Sequence, residues 1–282
     1  MLIAHDSRRE EFPAVDDDER IVVFNHGFAS DWGSWQLVEA TLAAFARARE
    51  LFDPEIVTLI TGADYPVRPL SQWEQEAVEA ESWIGTATPL EYTPRWGRTR
   101  GAGDDRYTRY SLKWYRSPWA DQLGKAPRWW VRLRTAAALR LEPVFGVRRV
   151  SRGRGLYYGF ARVPQFFGSD RPCYFGGQTL AVRRTELDLL LDEDFAAGSP
   201  LRRAYRRAVI PDESALQTAL AWRAAPSSLP PVSFVQWDDA VDQCVVWRLH
   251  DLGAIRSSGS PFCRKVDPAL SAELLDRLDG LI

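Results

Sequence analysis

The chain has 282 residues, 45% hydrophobic and 12% aromatic, which is enough apolar material to bury a full globular core. Its formal net charge is −2, no stretch approaches the roughly 20 consecutive apolar residues that a bilayer requires, and the charged N-terminus (Arg8, Arg9, Glu10, Glu11) has no apolar signal region. Three cysteines (Cys173, Cys244, Cys263) and three scattered histidines lack metal-type spacing, so buried thiols in a cytoplasmic chain are expected, and neither a disulfide framework nor a zinc site.

In chain order, residues 1–5 and 20–25 read as short buried strands. Residues 35–50 have helical apolar spacing through Leu37, Val38, Leu42 and Phe45, and 55–61 form a third apolar strand. A break at 62–66 precedes a helix over 71–83. An irregular basic stretch follows, then a strand over 174–182 and a helix from 185 to about 191. Pro211, Asp212 and Glu213 open another helix, 232–237 and 244–247 read as strands, and Asp267-Pro268 starts a last amphipathic helix through Leu270, Leu274, Leu275 and Leu278. Alternating strands and helices imply one α/β domain.

Charge is distributed unevenly along this order. Residues 1–94 hold 18 acidic and 6 basic side chains, whereas 95–154 hold 16 basic and 4 acidic. The basic segment also carries Trp96, Trp114, Trp119, Trp129 and Trp130. Arg interleaved with aromatics suits nucleic acid, an anionic membrane surface or an anionic sugar acceptor; the same residues also pave ordinary surface and close internal salt bridges. Residues 21–28 with Trp32 look like the strand and oxyanion turn of an α/β-hydrolase, but no G-x-S-x-G elbow occurs to present a nucleophile.

Four other segments, in order, resemble the Core-2/I-branching and peptide O-xylosyltransferase family over most of the chain. Leu2 to Asp6 is similar to its strand ending in His-x-Asp, Trp32-Gly33 to its Trp-Gly turn before a helix, and Thr61-Gly62-Ala63-Asp64-Tyr65-Pro66 to its Ser/Thr-x-x-Asp-Tyr-Pro turn. The C-terminal group is Gly176-Gly177, Pro211-Asp212-Glu213 and Phe262-Cys263-Arg264-Lys265-Val266-Asp267. The resemblance implies a GT-A-like, Rossmann-like nucleotide-sugar transferase fold with a mixed central sheet. It also implies an inverting transfer of GlcNAc or xylose from a UDP-sugar to a glycan, lipid-linked or other hydroxyl acceptor.

Inverting transfer to a hydroxyl needs a carboxylate to take the acceptor proton and positive charge to stabilise the departing diphosphate. The resemblance puts Glu213 in the first role, and a first-turn position would favour its ionised form. By the same resemblance Arg264 and Lys265 would supply the diphosphate clamp without a metal or other cofactor; Asp6, Trp32, Gly62 and Asp64 would complete the donor set, and Gly177 and Gln178 would face the acceptor. Two acidic clusters, Asp16 to Asp18 and Asp192-Glu193-Asp194, sit in a polar loop and at a helix end, where neither reads as a metal site.

The chain departs from the family pattern at its start, because it begins directly at Leu2 without the usual first strand and helix. Either upstream sequence or a second copy in a homo-oligomer would complete the donor site. Gln178 stands where xylosyltransferase-like members are acidic, which leaves the acceptor open. The expectation is a single domain: a nucleotide-sugar-binding half over 1–94, a basic irregular insertion over 95–170, and an acceptor-binding and catalytic half over 171–282. No nucleic-acid partner is expected, and peripheral attachment at a membrane surface is compatible with the basic segment. The alternative is a non-catalytic carbohydrate- or nucleic-acid-binding protein on the same fold, with the hydrolase behind it.

Overall fold

Short apolar runs alternating with helix-period segments produce a mixed α/β chain, described in a computed structural model over residues 1–8, 11–12, 20–117, 128–150, 155–238 and 243–281. Two compact units emerge, and the chain passes back and forth between them. One comprises Met1–Asp53, Thr88–Phe175 and Leu189–Trp222; the other comprises Pro54–Ala87, Gly176–Asp188 and Arg223–Ile282.

In the first unit, strands Leu2–His5 and Val22–Asn25 pair in parallel, Leu2 opposite Val22 and His5 opposite Asn25. Helix Trp35–Phe52 follows because Ser34 caps it, its hydroxyl accepting from the Leu37 amide, and because Val38, Leu42 and Phe45 form a buried stripe. A three-stranded antiparallel sheet has Gly155–Ala161 in the middle, flanked by Leu112–Arg116 and Phe145–Val150. Gly159 lies opposite both Trp114 and Gly146, and a Cβ on Gly159 would meet the Trp114 ring at 2.9 Å. The missing side chain is what lets the indole lie flat on the sheet. Leu112, Trp114 and Val150 pack there with Val209 and Ile210. Helix Pro200–Tyr205, capped by Ser199, leads through this cluster to a single 3₁₀ turn, Pro211–Glu213, and then to helix Ala215–Ala221.

In the second unit, strand Ile56–Leu59 pairs antiparallel with Leu180–Arg183. Strand Phe262–Arg264 lies between Ser233–Val235, in parallel, and Asp64–Pro66, antiparallel. Helix Leu70–Glu79 packs Trp73 and Ala77 against Phe262, Val232 and Ile84, while helix Ala272–Asp279 buries Leu274 and Leu278 beside Trp247 and Cys263.

Several expectations change. The described strands fall into seven sheets of two or three strands rather than one central sheet. Residues 95–170, expected to be irregular, carry the three-stranded sheet and helix Arg128–Arg140. The strand expected over 174–182 is split into Tyr174–Phe175 and Leu180–Arg183, since Gly176 and Gly177 interrupt it. The last helix starts at Ala272 rather than Asp267, because the Asp267 carboxylate instead accepts the amides of Ala269 and Leu270, both at 3.0 Å, in a local turn. Asp16 to Asp18 and Trp119 lie outside the described residues. No described helix is long and apolar enough to cross a membrane.

Candidate functional site

The Thr61 to Pro66 turn is built around the Asp64 carboxylate. It accepts the Thr61 amide at 2.8 Å, the Thr61 hydroxyl at 2.6 Å and the Ser233 hydroxyl, and its side chain is 0% exposed. Pairing of Asp64 with Arg264 across the antiparallel strands brings residues 200 positions apart into register. The Arg264 guanidinium then donates to the Thr61 hydroxyl at 3.0 Å and lies 3.8 Å from the Asp64 carboxylate. Asp64 thus presents no side-chain surface of its own, and Thr61 and Arg264 are the partly exposed groups it holds. Burial, followed by the charge of Asp64, pushes the neighbouring Cys263 thiol up to about 12.

Lys265 leaves the same strand exposed, and its ammonium makes no hydrogen bond or ion pair to a described residue. Its backbone is fixed on both sides: the Lys265 amide donates to Val245 O at 3.2 Å, and the Trp247 amide donates to Lys265 O at 2.9 Å. The Trp247 indole, 1% exposed, donates to Arg264 O at 2.7 Å. Two adjacent cations therefore stand on a rigid backbone at the edge of a packed core. Gly62, also exposed, tops the facing turn, with no atom within 4 Å of where its Cβ would be. Gly177 and Gln178 belong to the same unit, in the loop before Leu180–Arg183, where the Gly177 amide donates to the Thr86 hydroxyl at 2.8 Å.

Asp6, Trp32 and Glu213 belong to the other unit. The Asp6 carboxylate chelates the Arg8 side chain, accepts the Ser30 hydroxyl at 3.1 Å, and is held well below the usual carboxylate range, chiefly by the Arg8 guanidinium. Trp32 is half-buried and packs on the cluster of Leu112, Trp114, Val150, Val209 and Ile210. Gly33, at φ 63°, approaches Ile210 so closely that a Cβ would meet its Cγ1 at 3.2 Å; Gly33 O accepts the Ile210 amide. The Trp-Gly turn in this way braces the turn that carries Glu213.

Glu213 does not lie in the first turn of an α-helix. It ends the 3₁₀ turn ahead of helix Ala215–Ala221, so the helix-dipole argument gives way to a specific partner: Arg109 donates to its carboxylate at 2.8 Å, with side-chain exposures of 18% and 29% for Arg109 and Glu213. Arg109 has no sequence signal that separates it from the other arginines of the basic segment. Below the turn lies a buried polar network that the sequence also does not announce. Ser214 Oγ donates to Tyr174 O at 2.6 Å and lies 2.7 Å from Tyr205 Oη, which donates to Thr218 Oγ1 at 2.8 Å, with Cys173 Sγ 3.3 Å from Ser214 Oγ. Burial raises the Cys173 thiol, so it stays neutral.

Asp192 is bound in a bidentate pair by Arg49 at 2.7 and 3.1 Å, a structural use of that acidic cluster. Among the described residues no group of three His, Cys, Asp or Glu side chains is placed to hold a metal ion. The chain matches no protein-family model and no curated protein.

Proposed function

We propose that the chain is an inverting glycosyltransferase of GT-A-like fold that moves a sugar, GlcNAc or xylose, from a UDP-sugar to a hydroxyl acceptor. The observation that carries this reading is the pairing of Thr61-Gly62-Ala63-Asp64 with Arg264-Lys265: a buried carboxylate and the Thr61 hydroxyl orient one guanidinium, and a second cation, with no ion pair to a described residue, stands beside it on fixed backbone. Two cations held at one strand end can neutralise the charge that develops on a departing diphosphate. In the other unit, Glu213 is a partly exposed carboxylate kept beside Arg109, a group able to accept the acceptor hydroxyl proton. Each segment thus holds a residue type that the chemistry requires.

Titration of the full chain with UDP in the presence of EDTA tests the clamp. Saturable binding that weakens by about 1.5–3 kcal/mol in Arg264→Ala, and likewise in Lys265→Ala, is expected for a lost charge-assisted contact. Equal affinity in variant and parent removes the donor site. Salt-sensitive oligonucleotide binding without any UDP response would favour the non-catalytic alternative, whose physical basis is the acid-free helix Arg128–Arg140 with its exposed Trp129 and Trp130.

A further inference from the structure

The first unit contains a cleft of ≈ 990 Å³ that none of the residues assigned above lines. Its walls are the start of helix Trp35–Phe52, strand Leu112–Arg116, the 161–166 loop and residues 200–209. Among the described residues six cations line it, Lys113, Arg116, Arg162, Arg203, Arg206 and Arg207, against one carboxylate, Asp31.

Ordinary basic surface is interleaved with acids that neutralise it, and the described lining of this cleft is not. Arg162 gives its guanidinium to the backbone oxygens of Tyr110 and Ala204, Arg203 donates to Gly198 O, and Arg207 stacks over the Tyr115 ring at 5.1 Å. Lys113 and Arg206 make no hydrogen bond or ion pair to any described residue through their side chains. Five of the six therefore form no ion pair with a carboxylate of a described residue. The backbone bonds fix where Arg162 and Arg203 point without cancelling their charge, and one-signed walls around a low-dielectric hollow focus the field into it. Burial pushes Arg162 down to about 10, as expected of a desolvated cation that lacks a counter-ion.

The rest of the described lining is mostly apolar, with Trp35 and Trp114, 8% and 4% exposed, and Phe166 its largest side chains and Gln36 and Tyr157 adding polar groups. The volume sits at the upper end of small-molecule sites, about 300–1,000 Å³, which is far more than a bare oxyanion fills. A carboxylate engages one or two cations, whereas a phosphate offers several oxygens and up to two charges to cations arriving from different segments.

We infer that this cleft binds a phosphate or diphosphate ester whose organic part is apolar, with the charged head at Lys113, Arg206 and Arg207 and the organic part over Trp35 and Trp114. The assignment is independent of the glycosyltransferase reading. A free organic phosphate and a lipid phosphate share this chemistry, and their apolar parts distinguish them.

Calorimetry of the full chain with inorganic diphosphate, phenyl phosphate and farnesyl diphosphate, at low and raised ionic strength, tests it. A saturable site for diphosphate that weakens with salt is expected, beside any at the proposed UDP clamp, with a tighter organic ester: farnesyl diphosphate tightest for a lipid source, phenyl phosphate for a soluble aromatic one. Lys113→Ala/Arg206→Ala should retain the parent melting temperature, since neither side chain has a described partner, and should lose about tenfold or more in affinity for each probe. In an Arg264→Ala/Lys265→Ala background, where the proposed UDP clamp is gone, one saturable site should remain for each probe and should weaken on adding Lys113→Ala/Arg206→Ala, which separates this cleft from that clamp. Absence of binding by all three probes, or equal affinities in parent and double variant, would overturn the site.

Discussion

Glu213 is a partly exposed carboxylate paired with Arg109, and it ends a 3₁₀ turn rather than opening an α-helix. If it is the base, Glu213→Gln should lower turnover, read as UDP release from UDP-GlcNAc, by about 10²–10⁴-fold with UDP affinity unchanged. Parent-level turnover in the Gln variant would leave Glu213 as no more than the counter-ion of Arg109. Cysteine reactivity is a second test at this scale. Cys173 and Cys263 are buried and Cys244 is half-buried, so an aromatic disulfide reagent should titrate Cys244 first in the native chain and all three only after denaturation. Because the folded Cys263 thiol is raised, its contribution to stability is full below the ordinary thiol range and is lost as the pH rises through about 12. The presence of Asp64 and Arg264 as candidate residues is legible from their motifs. The burial of Asp64 is not, because it depends on Ser233 and Arg264, which come from distant parts of the chain.

Helix Trp35–Phe52 matches its sequence signature at the N-terminus because Ser34 and a 3.6-residue apolar stripe both act locally. The Leu112–Arg116, Phe145–Val150 and Gly155–Ala161 sheet escapes the sequence reading for the opposite reason. Its outward positions mix Lys113, Tyr115 and Arg149 with the exposed Phe160, which breaks the apolar alternation, and Gly146 and Gly159 look like turn residues until Trp114 is seen to need their bare backbone. Gly159→Ala should therefore displace the Trp114 indole and lower the unfolding free energy by about 1–3 kcal/mol, the usual cost of overpacking, with a change in tryptophan emission. An unaltered emission spectrum and denaturation midpoint would show that the sheet tolerates the methyl. Tyr205→Phe removes a hydroxyl shared by Ser214 and Thr218 and should cost about 1–3 kcal/mol in the same assay through the polar atoms left behind. Stability equal to the parent would mean that the remaining hydroxyls satisfy one another.

At the scale of the whole molecule, charge and contact divide the chain differently. The acidic 1–94 and basic 95–154 segments suggest sequential halves, whereas strand pairing ties Ile56–Leu59 to Leu180–Arg183 and Asp64–Pro66 to Phe262–Arg264. Pairing between distant segments leaves no trace in local composition, and this is why the α/β class is legible while the division into units is not. Fragments 1–94 and 171–282 should each show little cooperative structure by circular dichroism and regain it on mixing; a sharp thermal transition in either alone would contradict the interleaving. The same interleaving puts a clock on synthesis. At about 5–20 residues per second, strand Asp64–Pro66 is made roughly 10–40 s before its partner around residue 264. During that interval its exposed edge and the apolar faces of Trp73 and Ala77 have no mate, so in a cell the nascent chain would depend on ribosome-associated chaperones, and heterologous yield should respond to translation speed and growth temperature more than to the strength of the promoter.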